Sequence, residues 1–215
     1  MGRHESEGTA MAVITISREF ASGGRKLGRR LAKRLNYDYV DKSLFQKIAE
    51  DLHVSEKTLG SFEDSTMYRV SNLFSHLFSK DYIERIVGYD KTVVEEREYQ
   101  DALRHLVLGM AENGDLVIFG RAAHFFLKDT PNCYCFRLVV SRNWRSKYAI
   151  AQHGVRSSEA ERILEEREKK RMWFYRSICG EGFDDPRLFH LTLNRGLIPF
   201  ETAVELCLMA VNSRY

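Results

Sequence analysis

Short apolar runs alternate along this chain with segments whose apolar residues recur every three or four positions. That alternation predicts strands and helices in turn. Residues 13–16, VITI, read as a short buried strand. Ser22, Gly23 and Gly24 make a turn, and a helix follows from Arg25 with Leu27 and Leu31 on one face, ending near Leu35 and Asn36. Residues 37–41, YDYVD, predict a second strand running into a helix capped by Asp41, with Leu44, Phe45, Ile48, Ala49 and Leu52 at helical spacing. Between 53 and 114 no strand is evident. A short helix from Ser55, a segment over 65–80 and a long helix with Tyr99, Leu103, Leu106, Val107 and Met110 in one stripe read as a helical insertion, stopped by Asn113 and Gly114.

The lower half repeats the alternation. Residues 115–119, DLVIF, make the strongest strand of the chain, and Gly120-Arg121-Ala122 follows directly. A strand over 134–140, buried on both faces, leads to a helix capped by Ser141 and ended by Gly154. Ser158 and Glu161 form a capping-box pattern for a long helix to about Ile178. A strand over 189–193 and a helix opened by Pro199, with Ala203, Val204, Leu206, Cys207 and Ala210 inward, close the chain. Strands separated by helices predict an α/β fold with an open, mainly parallel five-stranded sheet and helices on both faces.

Three places carry candidate chemistry. The first is the strand, glycine turn and helix over 13–31, the outline of a phosphate cradle in which helix-start amides point at an anion. Its wording does not fit G-x-x-x-x-G-K-[ST] in either frame. Taking Gly24 as the second glycine puts Glu19, Arg25 and Lys26 at the glycine, lysine and hydroxyl positions; taking Gly23 puts Arg18, Gly24 and Arg25 there. A plain glycine turn between strand and helix explains the same residues. The second is Arg121, set by a glycine at the carboxyl end of a buried strand, where its planar fork of donors suits a phosphate; a surface arginine starting a helix explains the same residue. Asp41, at the end of the second strand, is placed beside the loop by the same sheet geometry. The third is the long helix. At 100° steps from Ile163 its apolar stripe spans about 0° to 120°, with Arg167 at about 40° and Arg171 at about 80°. Two arginines on an inward face require an anionic partner, either a core carboxylate or phosphates brought by a ligand.

The formal charge of +3, with 33 basic against 30 acidic residues, gives no whole-protein field of the kind that draws nucleic acid, so a basic function must be local. The basic residues of the first helix, Lys26, Arg29, Arg30, Lys33 and Arg34, lie mostly opposite Leu27, Leu31 and Leu35, as on a solvated face. Cys133, Cys135, Cys179 and Cys207 lack zinc-site spacing and read as free thiols in a reducing compartment. The polar start, residues 1–11, reads as a disordered extension without the apolar core of a signal peptide, and no apolar run is long enough to span a bilayer. A cytoplasmic protein is expected.

The ordered set ITISREFASGGRKLGRRLAKRL, YDYVDKSLF, VIFGRAA, EREKKRMWFYRSICG and FHLTLNRGLIPFETAVEL resembles the cytidylate-kinase-like branch of the nucleoside monophosphate kinases, over residues 12–211. The resemblance implies a three-layer P-loop kinase-like fold over 12–215, with 53–114 as an acceptor-side insertion and 141–183 as a lid-like region. It implies phosphoryl transfer from ATP with Mg2+ to a nucleoside monophosphate, CMP or dCMP first. In that family the loop matching Ser22, Gly23, Gly24, Arg25 and Lys26 holds the donor phosphates, and the aspartate matching Asp41 lies near the acceptor. The arginine matching Arg121 holds the acceptor phosphate, and a basic lid helix matching Arg167 and Arg171 closes over the transferred group. Arg25, Asp41 and Arg171 are the catalytic candidates.

The departures are specific. An ungapped match puts Gly24 where the loop lysine of cytidylate kinases stands, and Ala122 where they carry aspartate; Ala21 replaces a usual glycine. No metal ligands are identifiable, and with no loop hydroxyl Mg2+ would need Ser17, Asp41 or water. A binding protein on a degenerate kinase fold, sensing a nucleotide or anion without turnover, is therefore the alternative. The expected partner is a small-molecule nucleotide, with neither nucleic acid nor membrane; the insertion would serve either as an acceptor cover or as a homodimer surface.

Overall fold

The computed structural model describes residues 12–41 and 96–213. The expected helices over 42–52, 55 and 65–80, most of the insertion and the extension at 1–11 lie outside them. Five strands form one sheet: β1 (Val13–Arg18), β2 (Asp38–Val40), β3 (Leu116–Phe119), β4 (Cys133–Val139) and β5 (Leu191–Asn194). Their order is β2-β3-β1-β4-β5 and every pairing is parallel, with Val13 level with both Leu116 and Cys133. All five carboxyl ends therefore face one edge, the edge at which such sheets bind ligands.

Helices cover both faces, which is why the strands read as apolar runs rather than as alternation. On one side α1 (Gly24–Leu35) and the C-terminal helix, Phe200–Asn212, bury Leu27, Leu31, Val204 and Cys207 against Ile14, Ile16, Val117, Phe136 and Leu138. On the other, α2 (Glu96–Ala111) and α3 (Ala123–Phe126) set Leu103, Leu106, Val107, Met110 and Leu127 against Val13, Ile118, Cys133 and Cys135. Each such side chain contributes roughly 1.5 to 3 kcal/mol on burial. Beyond β4 come α4 (Arg142–His153), capped as expected by Ser141 and ended by Gly154, and α5 (Ala160–Cys179); the C-terminal helix is α6. Gly28 lets α1 settle on the sheet, since a Cβ there would stand 2.9 Å from the Tyr39 ring.

Two local expectations need correction. The final strand starts at Leu191, not at 189, because the His190 ring takes a backbone bond: Cys135 N–H donates to His190 Nδ1 at 3.0 Å. Phe189 instead stacks on buried His124, with ring centroids 4.9 Å apart. The capping box at Ser158 does not form. Residues Ser157–Glu159 make a 3-10 turn and Glu161 accepts from Arg142 Nε at 2.6 Å, so α5 begins without a side-chain cap.

His124 supplies a pH test. Burial pushes its pKa down to about 4, against the opposing pull of the Phe183 carbonyl 3.3 Å away. Between its unfolded value near 6.5 and about 4, the unfolded chain binds the proton that the folded one refuses. Stability contributed by this residue is thus full above pH ~6.5 and falls by about 3 kcal/mol on the way to pH ~4. Thermal melts of wild type and His124→Phe should diverge across that range, the wild type losing more; parallel curves would refute the assignment.

Candidate functional site

The loop between β1 and α1 is held from within. Glu19 N–H donates to Leu138 O at 3.2 Å, the Glu19 carboxylate accepts from Val140 N–H at 3.0 Å, and Ser22 Oγ donates to Glu19 O at 2.9 Å. The Ser22 hydroxyl is thus spent on the loop's shape. Ala21 sits at φ 60, where the usual glycine would carry no penalty, and Gly23 at φ 82. Gly23 supplies no side-chain cap and the first turn of α1 holds no acidic residue, so the helix-start amides and the positive helix end stay available to an anion.

Around this loop the sheet edge gathers cations. Arg18, the last residue of β1, lays its guanidinium 4.2 Å from the centre of the Phe119 ring and against Gly120, where a Cβ would stand 2.9 Å from Arg18 Nη1. Burial chiefly, and then the positive charges of Arg171 and Arg121, hold the Arg18 pKa below the ordinary arginine value. Arginine remains cationic regardless. After β3 the backbone turns through three left-handed residues in succession, Gly120, Arg121 and Ala122, at φ 77, 57 and 54. For the two non-glycine residues this costs on the order of 1 kcal/mol each. Ala122 is fully buried against Tyr175 and Phe183, which fixes the turn, and Arg121 lies 6.0 Å from the Phe174 ring. Arg25 lies 5.9 Å from Phe119 and 3.4 Å from Asp41; Arg29 is 4.0 Å from the same carboxylate. Asp41 is buried at the end of β2, as the sheet geometry requires.

α5 contributes Arg171, whose side chain is only 10% exposed. Its partners are carboxylates of this chain: Glu168 at 2.7 Å and Asp184 at 2.8 Å. Glu168 also takes Arg145 at 3.2 Å, Arg145 lies 4.0 Å from Glu19, and Asp184 takes Arg137 at 2.9 Å. One alternating network therefore ties the β1–α1 loop to α4, α5 and β4.

Two expected site residues lie elsewhere. Arg167 is exposed, with its guanidinium 5.8 Å from the Phe20 ring. The inward stripe of α5 runs through Leu164, Arg171 and Tyr175, which centres it near about 100° rather than 60° and leaves Arg167, about 60° away, toward its edge. The Lys26 ammonium sits 4.6 Å from the Phe200 ring, toward α6 and away from the cradle. On α1, Arg30 and Arg34 pair with Glu201 and Glu205 of α6 at 2.8 and 2.9 Å, which accounts for much of that helix's basic face.

The model of the cytidylate kinase-like family matches residues 13–196. The chain belongs to this family. No curated protein matches it. Among solved structures it is similar to an uncharacterized protein from Eubacterium ventriosum (19% identity, 95% of this chain and 99% of that one, TM-score 0.63). It is also similar to a shikimate kinase from Bacteroides thetaiotaomicron (18% identity, 95% and 100%, TM-score 0.51). At these identities the likeness concerns the fold, which is the expected three-layer P-loop kinase-like one.

Two loop positions depart from the lysine loop expected of a cytidylate kinase. At the loop-lysine position stands Gly24, and a Cβ there would be 3.1 Å from Arg18 Cβ and Cγ. At the hydroxyl position stands Arg25, more than half exposed and turned to Asp41. Among the described residues no three His, Cys, Asp or Glu side chains gather as a metal cluster. A loop that offers arginine where an oxygen ligand is needed does not fit protein-held Mg2+. What it fits is neutralisation of phosphate by guanidinium groups and helix-start amides.

The sequence reading assigns Arg18 no binding role, and it leaves a core carboxylate open as the partner of Arg171 without naming Glu168, Asp184 or the links to Arg145 and Glu19. Arg18 carries a readable signal, because it follows Ile16 by two on a buried strand and so shares that residue's face at the ligand edge. The network joins residues up to 165 positions apart, from Glu19 to Asp184, and has no local signal. A groove of about 970 Å³ lined by Arg97, Gln100, Lys169, Met172, Trp173, Arg176 and Ser177 includes Lys169, Trp173 and Arg176 from the side of α5 opposite Arg171, and is separate from this site. Among the described residues no helix is long and apolar enough to cross a membrane.

Proposed function

We propose that this chain is an ATP-dependent phosphotransferase acting on a nucleoside monophosphate, with CMP and dCMP the first candidates. The observation that carries the reading is the neighbourhood of Arg18, Arg121 and Arg171 at the carboxyl edge of a parallel sheet, beside an uncapped helix start. In such a transfer an acceptor phosphate oxygen attacks the γ-phosphorus, the bond to the β–γ bridging oxygen breaks, and ADP leaves. The protein's part is to hold both groups in line and to neutralise the charge spread over the equatorial oxygens. The loop amides and Arg25 serve the donor and Arg121 the acceptor phosphate. Arg171, fixed by two carboxylates, adds positive potential from α5. Asp41 holds Arg25. Any Mg2+ arrives with the nucleotide.

The test is ADP release across a panel of nucleoside monophosphates, with ATP and Mg2+. Turnover with a pyrimidine monophosphate above the enzyme-free background is the expected result, and Arg25→Ala should raise the KM for ATP about 10-fold or more. The vacancy at Gly24 favours a second reading, a nucleotide sensor without turnover. Saturable ATP binding with no ADP release on any acceptor would select it.

A further inference from the structure

The positions of Arg18 and Gly24 are sterically linked. The Arg18 stem runs across the start of α1, so that a Cβ on Gly24 would meet Arg18 Cβ and Cγ at 3.1 Å and the Phe119 ring at 3.2 Å. Contacts of 3.1–3.2 Å are tighter than most real Cβ contacts, so a side chain at 24 requires the Arg18 stem or the Phe119 ring to give way by a few tenths of an ångström. The far end of Arg18 is equally constrained: the guanidinium lies over Phe119 and against Gly120, whose missing Cβ leaves it room. The charged groups acting on it are Arg171 and Arg121, together with the phenols of Tyr175 and Tyr39. Among the described residues no carboxylate pairs with it. The nearby carboxylates are engaged elsewhere, Glu168 and Asp184 by Arg171 and Asp41 by Arg25. A half-buried arginine amid two other arginines, with no counter-charge among the described residues, is costly unless an anion completes the site.

We infer that Arg18 is the phosphate-binding cation of this loop, reaching from the end of β1 over Gly24 to do what a lysine at position 24 would do from the start of the helix. The group it takes is a phosphoryl group lying between the α1 amides and the Gly120–Arg121 turn. A guanidinium there offers two parallel N–H donors where an ammonium offers a point charge. It therefore fixes the orientation of the phosphoryl oxygens as well as neutralising them. The exchange also explains why Gly24 is glycine: it is the floor under the Arg18 stem. This rests on the proposed nucleotide reading for the identity of the ligand, but not for the presence of an anion.

The experiment is titration calorimetry at low salt with inorganic pyrophosphate and, separately, ATP, on wild type, Arg18→Met, Gly24→Lys and the double variant Arg18→Gly/Gly24→Lys. Methionine keeps the stem over Gly24 and Phe119 and removes only the charge. Arg18→Met should bind both probes about 10- to 100-fold more weakly, while its ligand-free melting temperature is at or above that of wild type. Gly24→Lys should melt lower than wild type because of the clash. The double variant, which rebuilds a lysine loop, should melt like wild type and regain most of the lost affinity. Arg18→Met binding both probes within about twofold of wild type overturns the inference, as does a double variant that binds no better than Arg18→Met. Wild type that binds pyrophosphate but not ATP defeats the nucleotide reading and leaves Arg18 to be decided by the pyrophosphate arm. Wild type that binds neither defeats both.

Discussion

Arg171→Met is expected to lower the unfolding free energy by about 2 to 3 kcal/mol and to remove phosphotransfer with it. The side chain is 10% exposed and sits between Glu168 and Asp184, each of which is also tied to a second arginine. Methionine fills a similar volume but leaves two half-buried carboxylates short of a counter-charge. Full burial would cost about 3 to 5 kcal/mol, and the partial exposure of both carboxylates reduces that. Arg171→Lys retains the charge but cannot span both partners with a planar fork, so it should fall between wild type and methionine. Urea denaturation of the three proteins gives the comparison. Equal midpoints would mean that the network does not hold α5 to the β1–α1 loop.

The second large effect is expected at Arg121. Arg121→Ala should lower kcat/KM for the best monophosphate acceptor by at least about 100-fold, the loss of two charge-assisted bonds to a phosphate. Its ligand-free melting temperature should change by no more than a few degrees. Alanine in a left-handed conformation carries much the same backbone penalty as arginine, and the turn is fixed mainly by Gly120 and by buried Ala122. Kinetics together with calorimetric titration of the monophosphate separate the two effects: a large stability loss with unchanged KM would make Arg121 a structural residue.

The sheet and its helices were legible because their signals are local. Apolar β-branched runs fixed β1, β3 and β4 to within two residues or so, and asparagine, serine and glycine marked the end of α1 and both ends of α4. The last strand was misplaced by two residues since Phe189 and His190 look like strand but are committed sideways, to His124 and Cys135. The loop's outline, a strand, a glycine turn and a helix, was recognisable from Gly23 and the helix behind it. Its substitute cation was not, because the link between Arg18 and Gly24 is a contact across a turn that no motif encodes. Arg167 and Arg171 could not be separated on helical phase alone; it took the packing of Leu164 and Tyr175 to show which arginine faces inward. That Arg171 meets Asp184 depends on a loop thirteen residues later folding back, which periodicity does not convey.

The central claim is that these cations gather to receive a phosphorylated ligand, and calorimetric titration of the wild-type chain with ATP, ADP and the pyrimidine monophosphates addresses it most directly. Saturable binding of ATP with a dissociation constant below about 1 mM, and of at least one pyrimidine monophosphate, is the predicted result. No heat of binding from any of these nucleotides at millimolar concentration would contradict it.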